Sequence, residues 1–191
     1  MQSIKEILQR SIDVKIRLME EEELLLSIKK TVEIVTQSLQ ADHKIWFCGN
    51  GGSAADAQHL AAELSGRFYH DRDPLFAEAL HVNTSYLTAV ANDYGYDVVY
   101  SRLMKAKARE GDVLFAISTS GNSINIINAM VAAKERGAIV VAMTGETGGK
   151  MKEHADILLN MPSTDTPRIQ ECHIVVGHII CQLVEEAYFN F

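Results

Sequence analysis

The chain has 191 residues, a length that suits one domain with a full core and leaves little room for two. Hydrophobic residues make up 47% and charged residues 23%, the ordinary balance of a globular protein, so neither disorder nor a membrane class is suggested. A formal charge of -7, from 18 basic and 25 acidic residues, repels polyanions, and no basic cluster offers DNA or RNA a footing.

No apolar run approaches the ~20 residues of a spanning helix. The opening "MQSIKEILQRSIDVK" carries charges where a signal peptide needs an apolar stretch, so we expect a cytoplasmic protein without membrane contact. Two helical patterns come first: Ile4, Ile7, Leu8 and Ile12, then Leu25, Ile28, Val32, Val35 and Leu39. This seam could cover the domain's own core, or could pack against another subunit. Residues 1–42 are read as N-terminal helices suited to an oligomer.

Over residues 43–191 the period changes. "KIWFC", "LFAEAL", "VLFAIS", "IVVAMT" and "DILLNM" are short apolar runs rich in strand formers. Between them lie the helix-like "SAADAQHLAAELSGR" and "NSINIINAMVAAKERG", and "RIQECHIVVGHIICQLVEEAYF" closes the chain. Buried strands alternating with helices predict an α/β three-layer sandwich, a parallel sheet of about five strands with helices on both faces. Gly111 and Gly137, each just before a strand, read as helix-ending glycines. Cys48, Cys172 and Cys181 are an odd number without CxxC spacing and read as reduced core residues.

Two strand-to-helix turns look alike. Gly49-Asn50-Gly51-Gly52-Ser53 follows the first strand, and Ser118-Thr119-Ser120-Gly121-Asn122-Ser123 follows the third. Both fall where open α/β sheets bind ligands, and both lead into helix N-termini with free N–H donors. Either could be a plain capped turn. The hydroxyls of "STSGNS" exceed what one cap requires, which favours a phosphate. A dinucleotide fingerprint starting at Gly49 fails because Ala54 stands where glycine is needed, and "GETGGKM" is too short for a Walker loop and ends in Met151. No nucleotide cofactor is therefore expected, and a small phosphate ester remains.

His59, Glu63 and Arg67 are spaced to share one helix face. From spacing alone they could be a solvated ladder, yet the alanines and leucines around them leave little of that helix polar. Gln170, His173 and His178 lie on the last apolar helix, where a lone histidine is often a satisfied core residue. His59, Glu63, Gln170 and His178 would together make a mixed N/O set suited to zinc. Gln170 and His178 are about 12 Å apart along an ideal helix, so they share a contact only if Gln170 sits at a frayed start near Pro167.

Taken together, "CGNGGSAADAQHLAAELSGR", "NDYG", "STSGNS", "TGETGGKM" and "RIQECHIVVGHI" resemble the bacterial sedoheptulose 7-phosphate (phosphoheptose) isomerase family of the SIS fold. The resemblance covers nearly the whole chain and implies one SIS domain over 1–191. It implies an aldose-ketose isomerisation giving D-glycero-D-manno-heptose 7-phosphate through an enediol, the first step toward activated heptose for lipopolysaccharide or capsule. It implies Glu63 and His178 as catalytic residues, Ser118, Thr119, Ser120 and Ser123 at the phosphate, and Asn50, Gly51, Gly52, Ser53, Asn92, Asp93 and Gln170 along the sugar. Arg67 would orient or neutralise Glu63, and zinc would sit on His59, Glu63, Gln170 and His178, one ion per subunit. Homotetramers with sites between subunits are likewise implied. Some members carry an acid where this chain has Pro167, and that acid's role does not transfer. The alternatives are a non-catalytic tetrameric SIS scaffold of the replication-initiator-binding type, which lacks the acid and histidine, and an isomerase of another sugar phosphate.

Overall fold

A computed structural model describes all 191 residues. Five parallel strands form one sheet: β1 (Ile45–Gly49), β2 (Ala77–Ala79), β3 (Val113–Ile117), β4 (Ile139–Thr144) and β5 (Ile157–Asn160). Seven helices accompany them: α1 (Gln2–Glu20), α2 (Glu22–Gln40), α3 (Gly52–Ser65), α4 (Thr84–Tyr94), α5 (Val99–Lys107), α6 (Ile124–Glu135) and α7 (Thr166–Phe189). All five predicted strands are present, and no helix is long and apolar enough to cross a membrane.

Strand residues alternate between two cores because successive side chains leave opposite faces. Ile45, Phe47, Val113, Phe115, Val141 and Met143 point into a core closed by α1, α2, α3 and α7. Trp46, Cys48, Leu114, Ala116, Val140 and Ala142 point the other way, into one closed by α4, α5 and α6. The three predicted layers follow directly. The three cysteines are unpaired and buried, as their apolar runs require.

The strand order is β2-β1-β3-β4-β5. From β1 the chain runs outward to β2 and then returns past β1 to β3, so the order reverses between β1 and β3. Ligands bind outside the carboxyl ends at such a switch point, and there the two glycine and hydroxyl loops emerge.

Some expectations shift. The stretch that the sequence left without helices holds α4 and α5, and the Asn83 side chain caps α4 by accepting from the Tyr86 N–H. Gly137 follows α6 with φ 78°, as a helix-ending glycine should, whereas Gly111 closes a turn several residues beyond Ala108, the cap of α5. In α2 the buried seam runs through Leu24, Ile28, Val32, Val35 and Leu39, leaving Leu25 exposed. On α1, Ile4, Ile7, Leu8 and Ile12 are all exposed, and just Val14 and Leu18 are buried.

Helices α3 and α7 lie side by side, and Gly177 makes their approach close. A Cβ there would meet the Leu60 methyls at 2.5 Å and its Cγ at 3.1 Å, and Leu60 is fully buried. Glycine costs about 1 kcal/mol in a helix interior, a cost offset here by the packing that it permits. Gly177→Val should destabilise the fold by about 1–3 kcal/mol through overpacking, read as a lower urea midpoint with an unchanged m-value.

Candidate active site

The close approach of α3 and α7 brings one side chain of α7 onto two of α3. His59 and Glu63, one turn apart, place Nε2 and Oε1 3.1 Å from each other. His178 reaches across from α7 and sets its Nε2 2.9 Å from that of His59, with the ring centroids 5.0 Å apart. Phe68, just beyond α3, lays its ring against His178 with centroids 5.5 Å apart. His59 is half exposed and Glu63 mostly covered, their side chains retaining 49% and 23% of their accessible area.

Three donor atoms converge here, all within 4.8 Å of one another. Tetrahedral zinc with bonds of ~2.1 Å would separate its ligand atoms by about 3.4 Å, a few tenths of an ångström more than the 3.1 and 2.9 Å seen. Two imidazoles and a carboxylate are also a borderline-soft donor set of the kind zinc takes. The residues therefore fit the ion.

Gln170 belongs to the neighbouring part of the site. Helix α7 starts at Thr166, with Pro167 in its first turn, so Gln170 lies inside the helix rather than at a frayed start. Its side-chain amide stands against Gly52, where an added Cβ would come within 2.5 Å of Nε2. Gly52 is seven residues before His59, about 10 Å along the helix axis.

Arg67 is not on the α3 ladder. The helix ends at Ser65 with Gly66 as its cap, and Arg67 is exposed beyond it. Arg72 comes back instead, its Nη2 donating to the Glu63 carbonyl at 2.9 Å.

The two loops at the switch point are tied to each other. The Asn50 amide donates to Asn125 Oδ1 at 2.9 Å and accepts from Asn125 Nδ2 at 2.8 Å, and the Tyr96 hydroxyl donates to the same Asn50 oxygen at 3.3 Å. Asn50 thus braces the first loop on α6, which starts directly after the second loop. Gly51 and Gly52 are open to solvent, while Ser53 is buried. In the second loop Ser118 Oγ lies 2.9 Å from Ser123 Oγ and 3.4 Å from Ser120 Oγ, a cluster at the N-terminus of α6, with Thr119 beside it. Backbone dipole and hydroxyl donors there suit an anion.

"GETGGK" buttresses this loop. Gly121, at φ 64°, lies so close to Gly148 and Gly149 that no side chain fits between them. The Met151 N–H donates to the Gly121 carbonyl at 2.9 Å, and the Gly145 N–H to that of Thr119 at 3.0 Å. His173, fully buried on α7, contacts the Thr144 carbonyl through Nε2 at 3.1 Å. Asn92 and Asp93, bonded to each other at 2.9 Å, lie exposed in the last turn of α4.

Several polar residues of the site gave no sequence signal. Asn125 is one. Asp56, a turn before His59, carries a buried Oδ2 without a hydrogen-bond partner, and burial pushes its carboxyl up against the pull of His59. Arg72 and Glu185 form an ion pair between segments far apart in sequence. Such pairings are invisible to helical or strand periodicity.

Residues 10–145 match the SIS domain family. A phosphoheptose isomerase of Mycobacterium tuberculosis is 53% identical over 185 residues, covering 97% of this chain and 94% of that protein. One from Aneurinibacillus thermoaerophilus is 53% identical over 187 residues, covering 98% and 94%. The structure of a phosphoheptose isomerase from Neisseria gonorrhoeae superposes with a TM-score of 0.91 at 44% identity, covering 97% of this chain and 98% of that one.

Burial lowers the His173 pKa from 6.5 to about 4, against the contact with Thr144. The unfolded chain therefore binds this proton more readily than the folded one. Stability should be complete above about pH 6.5 and fall by about 3 kcal/mol as the pH drops to about 4. In His173→Gln this component should vanish from urea unfolding measured across that range.

Proposed function

The chain belongs to the phosphoheptose isomerase family of SIS-domain proteins, and on that premise we propose how its residues interconvert sedoheptulose 7-phosphate and D-glycero-D-manno-heptose 7-phosphate. The product enters the synthesis of activated heptose for lipopolysaccharide or capsule. The observation that carries this reading is the convergence of His59 and Glu63, on the helix that leads out of the first loop at the switch point, with His178 of α7. Residues 1–191 act in it as one SIS domain.

Ser118, Thr119, Ser120 and Ser123, with the N–H groups at the start of α6, hold the phosphate. Gly51, Gly52, Ser53, Asn92, Asp93 and Gln170 line the sugar, and Asn50 fixes the glycine loop through Asn125. His178 takes the proton of the anomeric hydroxyl and delivers one to the ring oxygen, which opens the ring. Glu63 then removes a proton from C1. The C–H electrons form the C1=C2 bond, and His178 carries the O1 proton to the C2 oxygen of the enediolate. Return of the proton from Glu63 to C2 then leaves the carbonyl at C1 and completes the aldose.

The proposed metal is zinc, one ion per subunit, held by His59, Glu63 and His178. Bound there it would supply Lewis-acid polarisation of the sugar oxygens. A carboxylate shared with an ion is a weaker base, so ion and proton transfer compete for Glu63.

We further propose a homotetramer with sites completed between subunits. The apolar stripe of α1, Ile4, Ile7, Leu8 and Ile12, faces solvent, and an exposed patch of this kind marks an interface. Arg67, exposed beside α3, is free to point into such a site.

Glu63→Gln and His178→Ala should each lower kcat on sedoheptulose 7-phosphate by about 10²–10⁴-fold with the fold retained. Turnover with a chelator and with added zinc reads the effect of the ion. No wild-type turnover in either condition would sink the assignment. Ile7→Glu combined with Leu8→Glu should shift the sedimentation coefficient toward smaller species, and an unchanged profile would remove α1 from the interface.

A further inference from the structure

Arg72 and Glu185 form an ion pair whose side chains are 2% and 1% exposed. The Glu185 carboxylate accepts four hydrogen bonds: from the N–H groups of Phe68, Tyr69 and His70 at 3.0, 2.8 and 3.1 Å, and from Arg72 Nε at 2.9 Å. Burial pushes this carboxyl up, but the three amides and Arg72 outweigh burial and hold it below the ordinary glutamate value. The pair is charged at neutral pH.

Most of the remaining guanidinium hydrogen bonds go to the end of α3. Nη2 donates to the Glu63 carbonyl at 2.9 Å, and Nη1 to those of Leu64, Gly66 and Asp73 at 2.8, 2.9 and 3.0 Å. Arg72 thereby caps the last turn of α3, where carbonyls lack helical partners. Glu185 sits on α7 seven residues after His178, two turns along the same face. One buried pair joins the end of the helix bearing His59 and Glu63 to the helix bearing His178. The segment gripped between them carries Phe68, whose ring rests on His178.

Net stability is a weak reason for this arrangement. Desolvating two charges costs several kcal/mol, and apolar residues of similar volume often serve a fold as well or better. What an apolar pair cannot supply is direction, since eight hydrogen bonds from two side chains fix α3, α7 and the 66–73 segment relative to one another. The separation of the His59 and His178 nitrogens depends on that relation.

We propose that Arg72 and Glu185 are positioning residues, a buried clamp that sets α7 against α3 and seats Phe68 on His178, so fixing the geometry of the His59, Glu63 and His178 side chains. The kinetic part of its test rests on the isomerase reading; the structural part does not.

The test uses full-length protein carrying Glu185→Gln, Arg72→Lys, or Arg72→Met with Glu185→Leu. The apolar double variant leaves no buried charge unpaired, but the amides of residues 68–70 lose their acceptor and a lower Tm is expected; Glu185→Gln, which keeps an acceptor oxygen for them, carries the comparison if the double variant does not fold. The ring-proton NMR signals of His178, identified by their loss in His178→Ala, report the ring current of Phe68. They should move in the folded double variant, and kcat should fall about tenfold or more, with KM within about threefold. An unmoved His178 signal overturns the clamp. So does a moved signal with unchanged kcat, because the chemistry would then be indifferent to the position. If the wild type turns over no heptose phosphate, the isomerase reading fails and the NMR comparison alone decides.

Discussion

Everything at the site depends on how near α3 can lie to α7. Side chains from two helices reach common ground when the axes are close, and here the space is set by the missing Cβ of Gly177 over Leu60. The next residue along α7 is His178, so this close packing contact and the proposed point of chemistry are neighbours in the chain. A core contact thereby fixes a distance between functional groups. Packed interiors deform little, which makes such a contact a firm reference for a triad that is itself partly exposed.

Parallel-sheet topology supplies the other half of the arrangement. Reversal of strand order between β1 and β3 opens a crevice bounded by two loops, each leading into a helix N-terminus. The loops are not independent. Through the paired amides of Asn50 and Asn125, a shift in one is felt by the other. Under the proposed function, the phosphate end and the reacting end of a sugar would then meet a single braced surface.

The sequence made the fold legible because its strands are buried on both faces and its helices carry regular apolar spacing. These local patterns placed all five strands, the two loops and the convergence of His59 with Glu63 on one face. Arg67 was misplaced because the helix stops at Gly66, and the i, i+4 rule holds only while the helix continues. Leu25 fell outside the buried seam because Leu24 takes its place, a choice made by the tertiary neighbours of α2. Asn125 and the pairing of Arg72 with Glu185 could not be found by pattern, since Asn50 is 75 residues from Asn125 and Glu185 is 113 from Arg72, and the meaning of such pairs is purely spatial. Family resemblance pointed to His178, whose spacing alone was equally that of a core histidine.

The thin attachment of α1 has one more consequence. Within its own chain this helix buries two side chains and otherwise rests on polar ties such as Ser11 and Lys15 to Glu171, and the Ile7 carbonyl to Arg168. An element held so lightly gains its order from whatever covers its apolar stripe. Under the proposed assembly, its melting would obey mass action. Dilution, rather than heat, would then be the gentlest way to loosen α1 while leaving the sheet and both of its cores intact.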